Sequence, residues 1–488
     1  MKAIYPLAGL AFCSLTGFAQ KAPNFLIIQC DHLTQRVVGA YGETHGVTPA
    51  IDKIASEGVI FANAYIGCPL SQPSRAALWS GLMPHQTNVR SNSTSPINPE
   101  LPESVPTLGS LFSENGYEAV HFGKTHDMGS LRGFEHKEPE AKPFTDPDFP
   151  VNRDSFLDVG TCEDAVTYLS NPPQEPFICI ADFQNPHNIC GFVGANEGIH
   201  TDKPINGPLP ELPENFEVDD WSKLPVPVQY ICCSHRRMKQ AALWNETNYR
   251  HYIAAFHHYT KMVDRQIESV LKALYSTPAG ENTIIIIMAD HGDGMGSHRM
   301  VTKQISFYEE ITNVPFIIAG LGIKKLKQPV KNILVQPTID LLPTLCELAN
   351  INVPKEKPGI SIAPLLKGKK QTEKHPYAVS EWHSEYEWIV SPGRMVRGPR
   401  YKYMHYLEGN GEELYDLEKD PGEMNNLAGN PKYSKVLTEH RAMLDDYIQR
   451  TGDDYRSLEI KADHRCRSHA PGYPNHEGPW IREILEGK

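Results

Sequence analysis

Four short apolar runs constrain the fold of this chain more than any other feature. They are Asn24–Cys30, Pro176–Asp182, Thr283–Met288 and Pro315–Ala319. Near-continuous apolar runs of this length are typical of strands buried on both faces, as in a parallel sheet. Helical stretches separate the runs, so the sequence predicts an α/β fold: a mainly parallel sheet covered by helices on both faces.

The segments between these runs are assigned from their own patterns. Shorter strands are predicted at Val59–Tyr65 and Tyr117–Phe122. Helices are predicted at Thr48–Gly58, Leu101–Asn115, Asp164–Leu169, Arg236–Leu274 with a break near Asn245, and Ile339–Leu348. Glu135–Pro150 is rich in proline and charge and is predicted to be a loop, and Gly194–Pro227 is predicted to be a long irregular insertion.

The pattern changes after about residue 375. Arg400–Tyr406 and Glu413–Leu417 read as strands of a smaller antiparallel sheet, and Lys432–Gln449 reads as a terminal helix. We therefore predict a larger α/β domain over residues 21–374, which carries the candidate site, and a smaller α+β subdomain over residues 375–488.

The first 20 residues have the features of a cleaved secretory signal peptide. Met1-Lys2 precedes the apolar run Ala3–Phe12, and cleavage is expected near Ala19 or Gln20. Cys13 raises the question of lipoprotein processing, but Phe12, directly before it, is a poor match to the small residue that such a cleavage site needs. We expect a periplasmic or secreted protein, and no later stretch is apolar for long enough to span a membrane.

Net charge limits the classes of binding partner, and the cysteine count limits the disulfide pairing. The formal net charge of −12 argues against nucleic acid or an anionic membrane as a partner, although a local cluster of cations can still bind a small anion. Without Cys13, nine of the ten cysteines remain, so at least one is unpaired in a monomer. Cys30 and Cys179 lie in strand-like runs and are expected to be small buried hydrophobic residues.

The segment Ser71–Arg75, with sequence Ser-Gln-Pro-Ser-Arg, is the leading candidate for a reactive site. Proline favours the first turn of a helix and Gly81 favours its end, so Ser71 is predicted to lie just before a helix N-terminus. The unpaired N–H groups and the dipole of such a terminus suit an anion. Taken alone, the segment could also be an ordinary capped helix start.

Polar pairs directly follow two of the buried runs. Asp31-His32 comes after the first run, and Asp290-His291 comes after the third. Ligand sites in open α/β sheets lie beyond the carboxyl ends of the strands, so these pairs are expected near one another. Oxygen ligands with an imidazole suit a hard divalent cation, Ca²⁺ or Mg²⁺.

Ser71–Arg75 resembles the Cys/Ser-x-Pro-x-Arg signature of the type I sulfatases. The resemblance implies an alkaline-phosphatase-like fold and oxidation of Ser71 to formylglycine (3-oxoalanine), an aldehyde that acts as its hydrate. Cys68 lacks the proline and arginine of the signature. The resemblance also implies that Asp31, Ser71, Asp290 and His291 hold one cation. His32 stands where the family has Asp or Gln, so its role as a ligand is left open.

Further elements resemble the family in the same order along the chain. Gly123–His126 resembles a Gly-Lys-x-His stretch, which implies that Lys124 contacts sulfate and His126 supports the hydrated aldehyde. His187, in Asn-Pro-His, and Lys303 resemble residues that reach the leaving group. Arg75, Lys124 and Lys303 are expected to pair with the sulfate oxygens. Either His187 or Lys303 could protonate the leaving oxygen, and the ordinary pKa of histidine favours His187.

The resemblance also implies a substrate class. Exported bacterial sulfatases of this kind act mostly on sulfated glycans, and the spacing of the site residues is similar to that of uronate 2-O-sulfatases of glycosaminoglycan degradation. We expect a 2-O-sulfate on an unsaturated uronate of heparin/heparan or chondroitin/dermatan fragments. Arg90 and the run His235-Arg236-Arg237 are candidates for binding its carboxylate. Sulfated glucosamine, galactose and algal sugars stay open.

Two alternatives and one partner complete the expectations. Phosphonate and phosphodiester hydrolases share the fold, the metal and the modified residue, and a chain with unmodified Ser71 could act only as a sulfated-glycan-binding protein. A serine in place of cysteine implies maturation by the anaerobic radical enzyme that oxidises either residue, and therefore an anaerobic bacterial host.

Overall fold

The computed structural model describes residues 22–92, 98–146, 149–195, 207–217, 223–225, 227–228, 241, 244–303, 306–383 and 391–458. The predicted signal peptide of residues 1–20 and the substrate candidates His235, Arg236 and Arg237 lie outside the described residues. Most of the predicted insertion between Gly194 and Pro227 lies outside them as well.

Strands and helices alternate through the larger part of the chain. The described strands are β1 (Asn24–Cys30), β2 (Val59–Ile60), β3 (Glu118–Gly123), β4 (Glu135–Lys137), β5 (Lys142–Asp146), β6 (Phe149–Phe156), β7 (Phe177–Phe183), β8 (Thr283–Ala289), β9 (Phe316–Gly320), β10 (Ala378–Trp382), β11 (Gly393–Arg397), β12 (Tyr401–Tyr406) and β13 (Gly411–Asp416). The described α-helices are α1 (Pro49–Ala55), α2 (Ser71–Ser80), α3 (Pro84–Thr87), α4 (Leu108–Glu114), α5 (Leu157–Ser170), α6 (Ile189–Ala195), α7 (Glu246–Tyr275), α8 (Glu309–Thr312), α9 (Pro337–Ala349), α10 (Ala363–Leu366) and α11 (Ser434–Thr451).

The main sheet has the strand order β2-β9-β8-β1-β7-β3-β4. Strands β8, β1, β7, β3 and β4 run parallel, whereas β9 is antiparallel to β8 and β2 is antiparallel to β9. The predicted mixed, mainly parallel sheet is therefore confirmed. Its central strands β8, β1, β7 and β3 place their carboxyl ends side by side, which positions the residues that follow them.

The central strand β1 is buried on both faces, as its apolar sequence indicates. Leu26 and Ile28 pack into one apolar core with residues of α1, α5 and α7. Phe25 and Ile27 point the other way, into a second core with residues of α2, α4 and α9. Successive side chains of a strand point to opposite faces, so an uninterrupted apolar run is what a sheet covered on both faces requires.

The C-terminal part forms a separate antiparallel sheet of order β10-β11-β12-β13. Helix α11 packs on it, with Leu437 and Leu444 against Val396, Tyr403 and Leu414. The predicted smaller sheet with a terminal helix is confirmed. The boundary between residues 374 and 375 stays a prediction.

Two local predictions are wrong. The helix predicted from Leu101 begins only at Leu108, because Pro106 disfavours helical backbone at the preceding residue and Thr107 caps the helix by accepting a hydrogen bond from Ser110 N at 3.2 Å. The loop predicted at Glu135–Pro150 contains β4, β5 and the start of β6. Strand β4 is an exposed edge strand, where charged residues and proline are tolerated.

Other boundaries differ less. The strand predicted at Val59–Tyr65 is reduced to β2, and the helix predicted from Arg236 is described from Glu246, with Asn245 as its cap.

Among the described helices, none combines the length and the apolar character needed to cross a membrane. Cys30 and Cys179 are buried and unpaired, as expected.

Candidate active site

Ser71 begins helix α2, one position later in the helix than the sequence predicts. The preceding residue, Leu70, is extended, and the helix ends at Gly81, whose φ of 63° favours glycine. The Ser71 side chain is buried, and its Oγ lies 2.8 Å from Nε2 of His291. A serine hydroxyl at a helix start thus faces the polar residues that follow the sheet.

The neighbouring parallel strands bring the other candidates to the same place. Asp290, Asp31 and Lys124 directly follow β8, β1 and β3. Asp31 N donates to Phe183 O at 3.0 Å, and Lys124 N donates to Asp182 O at 3.0 Å. The segments that follow β1 and β3 are thus still hydrogen-bonded to β7 at the ends of the strands. The expected meeting of these residues at one sheet edge is present in the structure.

Arg75 occupies the centre of a buried cluster of carboxylates. Its Nε donates to Asp290 Oδ2 at 2.9 Å, its Nη1 to Asp182 Oδ2 at 2.6 Å, and its Nη2 to Asp31 Oδ2 at 3.4 Å. All four side chains are fully buried. These ion pairs make Arg75 a positioning residue for the carboxylates, and its direct pairing with sulfate stays a prediction.

The donor set around Ser71 fits a hard divalent cation. One donor atom each from Asp31, His32 and His291 lies within 4.8 Å of the others. Asp31 Oδ2 contacts Lys124 Nζ and Arg75, whereas Asp31 Oδ1 is buried without a hydrogen-bond partner. An unpaired buried carboxylate oxygen is costly unless a cation or water satisfies it.

His291 is held in the tautomer that can act as a ligand. Nδ1 donates a hydrogen bond to the Gly292 carbonyl at 2.9 Å, and burial lowers the pKa of the ring, so the ring is neutral and its Nε2 is unprotonated. Nε2 lies 3.7 Å from Asp31 Oδ1, next to Ser71 Oγ. Asp290 Oδ1 accepts from His291 N at 2.9 Å and from His32 N at 3.3 Å, so this carboxylate orients both histidines.

His32 occupies an unusual backbone and ring environment. Its φ is 73°, a left-handed conformation that costs a non-glycine residue energy and is found at functional sites. The ring stacks on His187 at 4.7 Å between centroids, and neither ring nitrogen has a hydrogen-bond partner. Burial, followed by the charge of Lys303, holds the pKa of His32 well below its ordinary value. The neutral ring has the form of a ligand, and its ligation stays a prediction.

His187 is positioned by the loop after β7. Asp158 accepts hydrogen bonds from Gln184 N at 2.6 Å and from Asn185 N at 2.8 Å, and His187 N donates to Gln184 O at 2.9 Å. Burial, followed by the charge of Lys124, holds the pKa of His187 well below its ordinary value. The reason for preferring His187 as the acid, a pKa near neutrality, therefore does not apply, and the choice between His187 and Lys303 stays open.

Lys124, His126 and Lys303 complete the positive side of the site. The Lys124 ammonium contacts Asp31. Burial, then the charges of Lys124 and Arg75, lower the pKa of His126 to about 3, and its Nδ1 is buried without a partner. Lys303 is half-buried, and its charge contributes to the lowered pKa of His32, His187 and His291.

Arg90 lies farther along the chain from α2 and is only partly available. Its Nη2 donates to Asp454 Oδ2 at 3.1 Å, and its side chain is 28% exposed. A substrate carboxylate would have to compete with Asp454, so the assignment of Arg90 to substrate binding stays a prediction.

Sequence reasoning missed Asp182 and Asp158. Asp182 holds Arg75, and His121 Nε2 lies 3.5 Å from its Oδ2. The sequence did indicate Asp182, because it lies at the carboxyl end of a predicted buried strand, as Asp31 and Asp290 do. Asp158 lies on α5 and gives no such signal, since its contact with the loop before His187 depends on tertiary packing.

Comparison with known proteins gives consistent results. A family model described as Sulfatase matches residues 23–351, and one described as N-sulphoglucosamine sulphohydrolase, C-terminal, matches residues 296–450. The chain is 77% identical over 480 residues to a Bacteroides thetaiotaomicron protein named Delta 4,5-hexuronate-2-O-sulfatase, covering 98% of this chain and 100% of the relative.

Solved structures extend the comparison. One described as a 2-O GAG sulfatase has a TM-score of 0.90 at 78% identity, covering 95% of this chain and 100% of that chain. The phosphonate monoester hydrolase of Agrobacterium radiobacter has a TM-score of 0.71 at 20% identity, covering 89% and 97% of the two chains. At that identity the likeness shows a shared fold.

Proposed function

Because this chain belongs to the sulfatase family and is a sulfuric ester hydrolase, we propose that it removes the 2-O-sulfate from an unsaturated hexuronate of glycosaminoglycan fragments. One observation carries the proposal: the 77% identity to a hexuronate-2-O-sulfatase extends over 98% of the chain. The clustering of Asp31, Ser71, Lys124 and His291 beyond the carboxyl ends of the strands supports a hydrolytic site there.

The proposal includes a modified residue and a metal. Ser71 would be oxidised to formylglycine, and Asp31 and His291 would hold a divalent cation, Ca²⁺ or Mg²⁺, with Asp290, residue 71 and His32 as the further proposed ligands. The unpaired Asp31 Oδ1 and the unprotonated Nε2 of His291 support this assignment. Such a cation supplies Lewis-acid polarisation and favours the ionised form of a neighbouring hydroxyl, which for the aldehyde hydrate is the attacking group.

The remaining residues bind, orient and move protons. Lys124 and Lys303 pair with the anionic sulfate oxygens, in a buried setting where charged donors act strongly. Arg75 keeps the carboxylates in place and compensates their charge. The sugar oxygen that leaves sulfur is a poor leaving group, so it takes a proton from His187 or Lys303.

Maturation and location follow as further proposals. The serine at position 71 favours oxidation by an anaerobic sulfatase-maturating radical enzyme, which would be a transient partner of the chain. The N-terminal pattern favours export to the periplasm or beyond, where glycan fragments are met.

Sulfate release from defined disaccharides tests the function. The panel contains an unsaturated disaccharide sulfated only at O2 of the uronate, a matched one sulfated only at O6 of the hexosamine, and an aryl phosphonate ester. We expect release from the 2-O-sulfated compound, and its loss with a chelator and in Ser71→Ala. Faster sulfate release from the 6-O-sulfated compound, or faster release of the phenol from the phosphonate ester, would contradict the proposed substrate.

A further inference from the structure

We propose a second metal site in this protein, formed by Glu43, His45 and His257, for a divalent transition metal of the Zn²⁺ type. One donor atom of each residue lies within 4.8 Å of the others. Two imidazoles and one carboxylate are a donor set that Zn²⁺ and its neighbours bind, and a fourth position stays open to water. None of the three residues takes part in the candidate active site described above.

The fold brings the three residues together through two elements. Glu43 and His45 lie in the loop between the 3₁₀ turn Gly39–Tyr41 and α1, and His257 lies in the middle of α7. Asp264, two helical turns after His257 and therefore on the same face of α7, accepts hydrogen bonds from Ala50 N at 2.9 Å and from Ile51 N at 3.0 Å. The segment that carries the first two ligands is thus fixed against the helix that carries the third.

The carboxylate of the site is oriented before any metal binds. The Glu43 side chain is only 3% exposed, and its two oxygens accept from the backbone N–H groups of His45 and Val47. Its Oε1 also lies 2.6 Å from His45 Nδ1. Loop backbone therefore holds the carboxylate, as the ligating carboxylates of metal sites are commonly held.

The two imidazoles differ in exposure. The His45 side chain is 57% exposed, whereas His257 is half-buried. Their ring centroids are 5.4 Å apart. If His45 Nδ1 is the ligand atom, metal binding displaces the proton that it shares with Glu43 and releases this proton to solvent.

A solvent cavity gives an ion access to the cluster. The three residues line a cavity of about 290 Å³, together with Glu211, Glu214 and Arg36 among others. The Glu214 carboxylate favours a cation in the cavity, whereas Glu211 is paired with Arg250 at 3.2 Å. Arg36 opposes a cation, but it is paired with Glu310 at 3.3 Å. A bound ion would tie the loop to α7 and stabilise the folded chain by mass action.

Zinc titration of the purified protein tests the proposal. The protein is stripped with a chelator, dialysed, and supplied with Ca²⁺ to occupy the candidate active site. Zn²⁺ alone is then added in calorimetry and in thermal unfolding. We expect one equivalent of zinc to bind and to raise the Tm, equally in wild type and in His251→Ala, a matched histidine variant on the same helix. Both effects should be lost in His257→Ala and Glu43→Gln.

The controls separate ligand loss from misfolding. Each variant is first compared with wild type in chelator, where equal Tm values show that the fold is intact. If His257→Ala fails this comparison, His45→Ala carries the test, because that side chain is exposed. The proposal is overturned if wild type binds no zinc beyond the active site, or if a folded ligand variant keeps the stoichiometry and the Tm increase.

Discussion

Replacing Arg75 with methionine is expected to destabilise the folded chain strongly, because it leaves buried carboxylates without their cation. Of the three partners, Asp31 keeps Lys124, and Asp290 keeps two backbone N–H groups. Asp182 is left with a contact of 3.5 Å to His121. Removing one partner of a buried ion pair costs about 3–5 kcal/mol. The three pairs share one guanidinium and are not additive, so we expect a loss of about 3 kcal/mol or more in the free energy of unfolding.

The assay is urea unfolding in the presence of a chelator, so that metal binding does not contribute. The matched control is Arg441→Met, which removes a bidentate ion pair with Glu412 at a half-exposed position. In this pair, Arg441 Nε donates to Glu412 Oε1 at 2.8 Å. Exposed pairs of this kind contribute about 0–1 kcal/mol. A loss below about 1 kcal/mol for Arg75→Met, no larger than that of the control, would refute the role of Arg75 as the compensating charge.

Three further predictions concern single residues. Ser71→Ala should abolish turnover yet cost only about 0.5–1.5 kcal/mol of stability, since one hydrogen bond is lost; a loss typical of a core mutation in a thermal melt would make Ser71 structural. Of His187→Ala and Lys303→Ala, the variant that removes the acid should slow sugar sulfates more than activated aryl sulfates in steady-state assays, because only the former need protonation; equal losses on both substrates in His187→Ala would remove His187 as the acid. Burial raises the pKa of Asp158 to about 6 from an ordinary 3.8, so the folded chain binds the Asp158 proton more tightly than the unfolded chain does. The contribution of Asp158 to stability should therefore fall as pH rises from about 4 to about 6. Unfolding free energies of wild type minus Asp158→Asn, measured across that range, should therefore decrease, and a flat difference would contradict the assignment.

The sheet and the residues that follow its strands could be predicted from local sequence. Uninterrupted apolar runs such as Asn24–Cys30 and Thr283–Met288 indicate strands covered on both faces, and Asp31 and Asp290 follow them directly. The adjacency of β1 and β8 then brings together residues separated by more than half of the chain. Parallel sheets place the ends of their strands at one edge, so this juxtaposition follows from the fold class.

Features that depend on tertiary packing could not be predicted. The sequence shows Arg75 as a cation but does not show that three carboxylates use its donors. Likewise, the lowered pKa of His187 results first from burial and then from the charge of Lys124, which lies far away in the sequence. Helix α4 begins only at Leu108 because of the pair Pro106-Thr107. The prediction from sequence followed the longer apolar pattern and gave this local pair too little weight.

The most direct test of the account is the mass of the tryptic peptide Ile54–Arg75, which contains Ser71. The protein is produced in an anaerobic host that carries the radical maturase, and mass and sulfate release are measured on the same preparations. We expect a peptide lighter than its encoded mass by two hydrogen atoms, with activity proportional to the converted fraction. Full activity in a preparation whose Ser71 is wholly unmodified would contradict it.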